Sequence, residues 1–368
     1  MTSLRGVRRF LAIGFLLGVI AFVGRAPDNG DLYRKIGRDF AVLDCVDIHC
    51  FRILVPIVVE HLPGPSSLIK WKTYAVLTSA AAAMVTGRLC LVLGLSTRSA
   101  GFATWIAAFG YGPLVTIFDP YTADPAMYLL GPWLMADLLE QRLGRATIAA
   151  SIGVFAKEFA AAPMWIYAGV AALARQWELL ARAALAALAV TTIWFGLQVV
   201  LMMIFNNSYG PNPSVDLLGG GYFRAWVAAL GVRNAVFYLF SAFGPLYLLM
   251  AAGWRDASPT MRRIAIASVP AAAAFLYVQQ PDRALWNFHF VVIPIAVIAL
   301  ETLPDRLAWL FVAAYSAANL RLSEVQPAAL VAFRVGMLGV SLVLAAYAAV
   351  RISSSVAAPR MPQRHPVP

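Results

Sequence analysis

The sequence predicts an all-α polytopic integral membrane protein of about twelve membrane segments, some of them short. Three observations carry that reading. Hydrophobic residues make up 61% of the 368 and charged residues only 13%, with a mean hydropathy of +0.73, outside the range of a soluble globule. Apolar runs of about 15 to 25 residues recur from end to end, parted by short joints that carry charges or Gly and Pro. In lipid such runs must be helices, because each backbone polar group needs a partner within its own segment.

Residues 7–24 follow Arg5, Arg8 and Arg9 and read as the first span, since no small-residue cleavage motif comes after them. Basic residues mark the cytoplasmic side, so the N-terminus is expected inside and the polar loop 25–70 outside. Further spans are expected at 71–94, 101–118 and 127–139, with the acidic joint 119–125 on the outer side. Segment 146–174 decides the topology that follows. As one helix of 29 residues it would reach about 43 Å, well beyond a hydrocarbon core of about 30 Å, and would bury Lys157 and Glu158 near its middle. A mid-bilayer charge costs about 3 kcal/mol even on a lenient scale, and Pro163 offers a break. A hairpin with Lys157-Glu158 at its outer tip puts Arg175, Arg182, Arg255, Arg262, Arg263, Arg306, Arg351, Arg360 and Arg364 inside, against Arg224, Arg233, Arg283 and Arg321 outside. A single helix would invert that balance, so the hairpin is expected.

The remaining spans are expected at 183–205, 226–253, 264–278, 288–300, 307–320 and 328–350. Both termini are then cytoplasmic. Residues 1–352 form one helical domain, and 353–368, rich in Pro, Arg and Ser, read as a disordered tail. The net charge of +11 is scattered as ones and twos at the ends of apolar runs, the pattern of topology anchors and not of a nucleic-acid face. Arg outnumbers Lys and Ala is abundant, as in proteins encoded by GC-rich DNA.

This topology gathers four polar groups on the outer face: the long loop, the Asp119/Asp124 joint, the Lys157-Glu158 tip, and residues 279–283. Lys157-Glu158 is the most informative, because it interrupts an apolar segment. Other chemistries are thinly represented. Walker-type phosphate loops and Gly-x-Ser-x-Gly are missing. Cys45, Asp47, His49 and Cys50 share the loop without a distant further ligand, a weak case for zinc. Cys45 and Cys50 are compatible with a small disulfide in an oxidising compartment or with two free thiols. His289 reads as a core histidine, and 39–50 carries no assigned role.

One ordered set of short motifs runs through most of the chain: Asp31-Leu32-Tyr33, Phe51-Arg52-Ile53-Leu54-Val55-Pro56, Asp119-Pro120 with Asp124-Pro125, Ala156-Lys157-Glu158, and Asp282-Arg283 ahead of Phe290 to Pro294. In order and sidedness this set resembles the GT-C superfamily of multi-spanning glycosyltransferases, above all bacterial members that use polyprenyl-phosphate sugars. The resemblance implies sugar transfer from a lipid-linked donor to a cell-envelope glycan or lipid at the extracytoplasmic face of the bacterial inner membrane. The acceptor hydroxyl then needs a base, expected to be Asp31 with Asp28 next. Asp44 and Asp47 form a second acidic pair, and members of the family often show such a pair directly after the first span. The leaving polyprenyl phosphate needs cations, for which Arg52, Lys157 and Arg283 are the candidates. Asp124 and Glu158 would orient those cations or bind sugar hydroxyls, with Tyr33 beside them. No cofactor is called for, and a divalent metal bridging phosphate and carboxylate stays open. The rival reading is a transporter or flippase for a lipid-linked or anionic solute, and a third is a non-catalytic partner in envelope assembly.

Overall fold

Helix formation follows the apolar runs closely. The computed structural model describes residues 4–27, 29–40, 42–209, 221–278 and 281–357; Asp28, residues 210–220, Gln279 with Gln280, and 358–368 lie outside them. Among the described residues the chain is all-helical. It begins with α1 (Leu4–Val23), then the outer loop carries α2 (Asp31–Asp39), a 3-10 turn at Ile48–Phe51 and α3 (Leu54–Glu60). Next come α4 (Ser67–Val92), α5 (Thr97–Phe109), α6 (Tyr111–Phe118), α7 (Asp124–Leu139), α8 (Leu143–Gly153), a second 3-10 turn at Glu158–Ala161, and α9 (Ala162–Leu173). The second half holds α10 (Trp177–Phe205), α11 (Gly221–Phe243), α12 (Leu246–Gly253), α13 (Pro259–Val278), α14 (Pro281–Trp286), α15 (His289–Leu300), α16 (Asp305–Ala318) and α17 (Ala328–Ala357).

Among the described residues, six helical stretches are long and apolar enough to cross a bilayer: Gly6–Val23, Ser67–Val92, Thr97–Phe118, Trp177–Phe205, Phe223–Phe243 and Ala328–Ser353. Their outward faces are hydrocarbon. α1 buries Ile13, Leu17 and Ala21 at four-residue spacing and exposes Leu11, Phe15 and Phe22, while α10 exposes Leu185, Phe195 and Met203. A soluble protein rarely leaves such surface uncovered, whereas lipid accepts it. Ser66 and Ser96 start α4 and α5 as N-caps, accepting from the amides of Ile69 and Ser99. The buried Lys72 ammonium takes the carbonyls of Ala21 (2.6 Å) and Gly24 (3.1 Å), closing the C-terminal end of α1 where a cation is favoured.

Several expected elements are divided. The run 101–118 breaks at Gly110 into α5 and α6, and 226–253 breaks between α11 and α12 at Gly244 and Pro245. The tail expected from 353 begins inside α17, which runs to Ala357. The 146–174 segment turns back as expected. α8 ends at Gly153, and Gln141, just ahead of it, donates to the Tyr167 hydroxyl on α9 at 3.0 Å, so α9 returns to the level at which α8 starts.

Connections fall into two sets that touch within themselves. In one, Asn29 donates to Asp119 (3.3 Å), the Leu54 amide to the Phe155 carbonyl (3.0 Å), the Ser208 amide to the Cys45 carbonyl (2.8 Å) and the Arg25 amide to the Leu322 carbonyl (2.9 Å). In the other, Arg88 reaches Glu140 (2.7 Å), Arg145 reaches Asp137 (3.0 Å), and Arg98 reaches Asp305 (2.6 Å).

The Gly110-Tyr111-Gly112 break seats Trp286. A Cβ on Gly112 would lie 1.9 Å from Trp286 Cδ1, and one on Gly110 2.1 Å from its Cη2. The indole is fully buried and holds α14 against the start of α6. Gly112→Val is therefore expected to overpack this slot and lower stability by about 1–3 kcal/mol, read as a lower melting midpoint of the detergent-purified protein.

Candidate functional site

The first set of connections converges on a buried ionic network. Three structural features bring its members together. α2 is seated on the acidic joint: the glycine at Gly30 lets the backbone approach the Tyr121 ring, where a Cβ would stand 2.4 Å away. The 48–51 turn and α3 then deliver Arg52 to the tip of the α8–α9 hairpin. Finally, Trp286 fixes α14, which carries Arg283.

Asp124, the first residue of α7, is 2% exposed. It accepts from Lys157 Nζ at 2.6 Å, and its second oxygen accepts from Arg283 Nε at 2.8 Å and Nη2 at 2.5 Å. The same Nη2 also reaches Thr122 Oγ1 at 2.8 Å. Arg52 donates to Glu158 through Nη2 at 2.8 Å and Nε at 3.3 Å, a two-pronged contact suited to a carboxylate. Lys157 and Glu158 are chain neighbours, so the two ion pairs join into one network of three cations and two carboxylates. Burial works against the Arg52 charge, but Glu158, Tyr33 and Asp124 together outweigh it and hold the guanidinium above its ordinary pKa. Burial pulls the Lys157 ammonium down, with Asp124 opposing.

Tyr33 stands beside Arg52. Its ring meets Trp71 at 5.5 Å and His49 at 5.3 Å, and burial pushes its hydroxyl up to about 12. That hydroxyl has no hydrogen-bond partner among the described residues. Asp119, at the edge of the network, accepts from Asn29; burial raises its carboxyl, with Arg283 opposing.

The structure thus brings Arg52, Asp124, Lys157, Glu158, Arg283 and Tyr33 into one place. Asp31 stands apart from that network. Its side chain is 94% exposed and is paired at 2.5 Å with Arg34, which also lies over the Tyr121 ring. Asp28 lies outside the described residues. Cys45 and Cys50 are joined as a disulfide, which removes both thiolates from the metal reading of the loop. Among the described residues, no group of three or more His, Cys, Asp and Glu side chains is arranged to hold a metal ion. His289 is a core histidine, 1% exposed, with Nε2 3.2 Å from Thr86 Oγ1 and Nδ1 3.1 Å from the Trp286 carbonyl.

Sequence reasoning gave no role to Thr122 and Tyr111, and named Asp282 only as part of the Asp282-Arg283 motif. The Tyr111 hydroxyl donates to Asp282, next to Arg283. Thr122 was within the acidic joint, and the two glycines flanking Tyr111 were the signal that the span breaks there. Compared with known proteins, the chain matches no family model and no curated protein.

Proposed function

We propose that this protein is a membrane glycosyltransferase of the GT-C kind, which transfers a sugar from a polyprenyl-phosphate donor to a cell-envelope acceptor on the extracytoplasmic side. The buried network is the observation that supports the reading. Arg52, Lys157 and Arg283 are gathered at one place, and a sugar linked to a lipid through a phosphodiester offers them one negative charge. As the bond from the anomeric carbon to the phosphate oxygen breaks, charge grows on the phosphate, where preorganised Arg and Lys donors stabilise it. Arg52, Lys157 and Arg283 take that part, Asp124 and Glu158 hold them in place, and the Tyr33 hydroxyl is left to meet the donor.

The grouping of connections fits twelve membrane segments, with both termini cytoplasmic and the network on the outer side of the inner membrane. It also speaks against a path through the bilayer. The charges of the second set of connections are paired with one another between helices, while a transporter or flippase needs polar groups reachable from both faces. Asp31, the base expected from the sequence, is turned to water and paired with Arg34, so the carboxylates of the network are not joined by it.

Purified full-length protein incubated with a panel of farnesyl-phosphate hexoses and pentoses is expected to release farnesyl phosphate. Arg283→Ala should lower the release by about 100-fold or more. Release equal to that of the wild type in Arg283→Ala would remove the network from the reaction. Movement of a lipid-linked probe across liposomes without any turnover would favour the transporter instead.

A further inference from the structure

The six residues from Cys45 to Cys50 form a closed ring through their disulfide, and inside it lies an Asp–His pair. Asp47 is extended and caps the 3-10 turn. Its Oδ1 accepts from the His49 amide at 2.7 Å and lies 2.5 Å from His49 Nδ1. A carboxylate at Nδ1 fixes the neutral imidazole with its proton on that nitrogen, which leaves the Nε2 lone pair to accept a proton. The hydrogen bond from His49 keeps the Asp47 carboxyl below the usual carboxylate range, so it is ionised. The ring is itself pinned. The Ser208 amide donates to the Cys45 carbonyl, the Cys45 amide donates to Asn207 Oδ1 at 3.2 Å, and Phe51 stacks on Tyr209 at 4.5 Å.

This pair adjoins the ionic network. The Arg52 amide donates to the His49 carbonyl at 3.0 Å, so imidazole and guanidinium are set by one turn, and Tyr33 touches the edge of the imidazole while lying beside Arg52. His49 is 40% exposed at its side chain, accessible to an acceptor arriving from water. Around it stand Asp47 on its own turn, Arg52 immediately after that turn, and Tyr33 from α2. By contrast, the Asp31 carboxylate is solvated and committed to Arg34.

We propose that His49, oriented by Asp47 within the Cys45–Cys50 ring, is the general base of the outer site. The inference rests on the glycosyl-transfer reading. In the step, the acceptor oxygen forms a bond to the anomeric carbon as its proton passes to His49 Nε2. The bond from that carbon to the phosphate oxygen breaks, and the oxygen keeps the electron pair beside Arg52, Lys157 and Arg283. The imidazolium, stabilised by Asp47, then gives its proton to water.

The test compares His49→Gln, Asp47→Asn and Asp31→Asn in the full-length protein, using farnesyl phosphate for binding and the farnesyl-phosphate sugar panel for turnover. His49→Gln is expected to bind farnesyl phosphate as the wild type does, keep its disulfide, and turn over about 100-fold to 10,000-fold more slowly. Asp47→Asn should slow turnover in the same direction by less, and Asp31→Asn should stay within twofold of the wild type. Turnover of His49→Gln within twofold of the wild type, with farnesyl phosphate binding lost in Arg52→Ala, would overturn the role of His49 and leave the phosphate site standing. A wild type that neither binds farnesyl phosphate nor turns over the panel would overturn both.

Discussion

Asp124→Ala is expected to cost about 3–5 kcal/mol of stability, because it strands the buried Lys157 and the partly buried Arg283 without their shared anion. Asp124 is the hub of the network: one oxygen serves Lys157 and the other serves Arg283. Lys157 is 3% exposed, so water cannot readily replace the missing carboxylate. Asp124→Asn should be milder, since an amide oxygen still accepts from one cation while the charge is lost. The measurement is the melting midpoint of detergent-purified protein. A shift of less than about 2 °C for Asp124→Ala would show that the cations find other partners. Adding Lys157→Met to Asp124→Ala should restore part of the loss, because one stranded charge is then removed.

The second large effect separates stability from function at the other ion pair. Arg52 is 8% exposed and grips Glu158 with two donors. Arg52→Leu takes the guanidinium from Glu158, and Glu158→Leu takes the carboxylate from Arg52; each is expected to cost about 3–5 kcal/mol. The double replacement puts two apolar side chains where two charges were, and such swaps are often neutral or stabilising. Arg52→Leu/Glu158→Leu is therefore expected to recover most of the wild-type midpoint. It should not recover farnesyl phosphate binding, because the Arg52 guanidinium, one of the three phosphate donors, has not returned. A double variant that regains both would make the pair a purely structural staple.

Much of this was legible in the sequence, and the reasons are physical. The apolar runs could only be helices, and the turn between α8 and α9 was readable from the cost of burying Lys157 and Glu158, the break at Pro163 and the balance of basic residues. Arg52, Asp124, Lys157, Glu158 and Arg283 could be grouped because the alternation of spans puts their loops on one side. Which groups pair was not readable: nothing local to Asp124 says that Lys157 and Arg283 share it. Nor was the breaking of 101–118 expected, because hydropathy does not register a glycine pair that admits an indole. α2 was overlooked within a loop taken as merely polar, although Tyr33 and Ile36, both buried, have the spacing of one helical face. Asp31 lies on the far side of that helix, turned to water, and sequence order alone could not place it there. The role of 39–50 depended on the ring closed by Cys45 and Cys50, which the two cysteines by themselves left undecided.

The Asp124–Arg283 contact joins residues 159 positions apart, while Asp124 and Lys157 are 33 apart. In a chain emerging at about 5–20 residues per second, Lys157 reaches Asp124 within seconds, but Arg283 follows Asp124 by about 8–32 s. The growing chain thus holds an electrically balanced Asp–Lys couple while the intervening helices are inserted. Arg283 is the last of the network's residues to arrive, so the network closes only once α14 has been made.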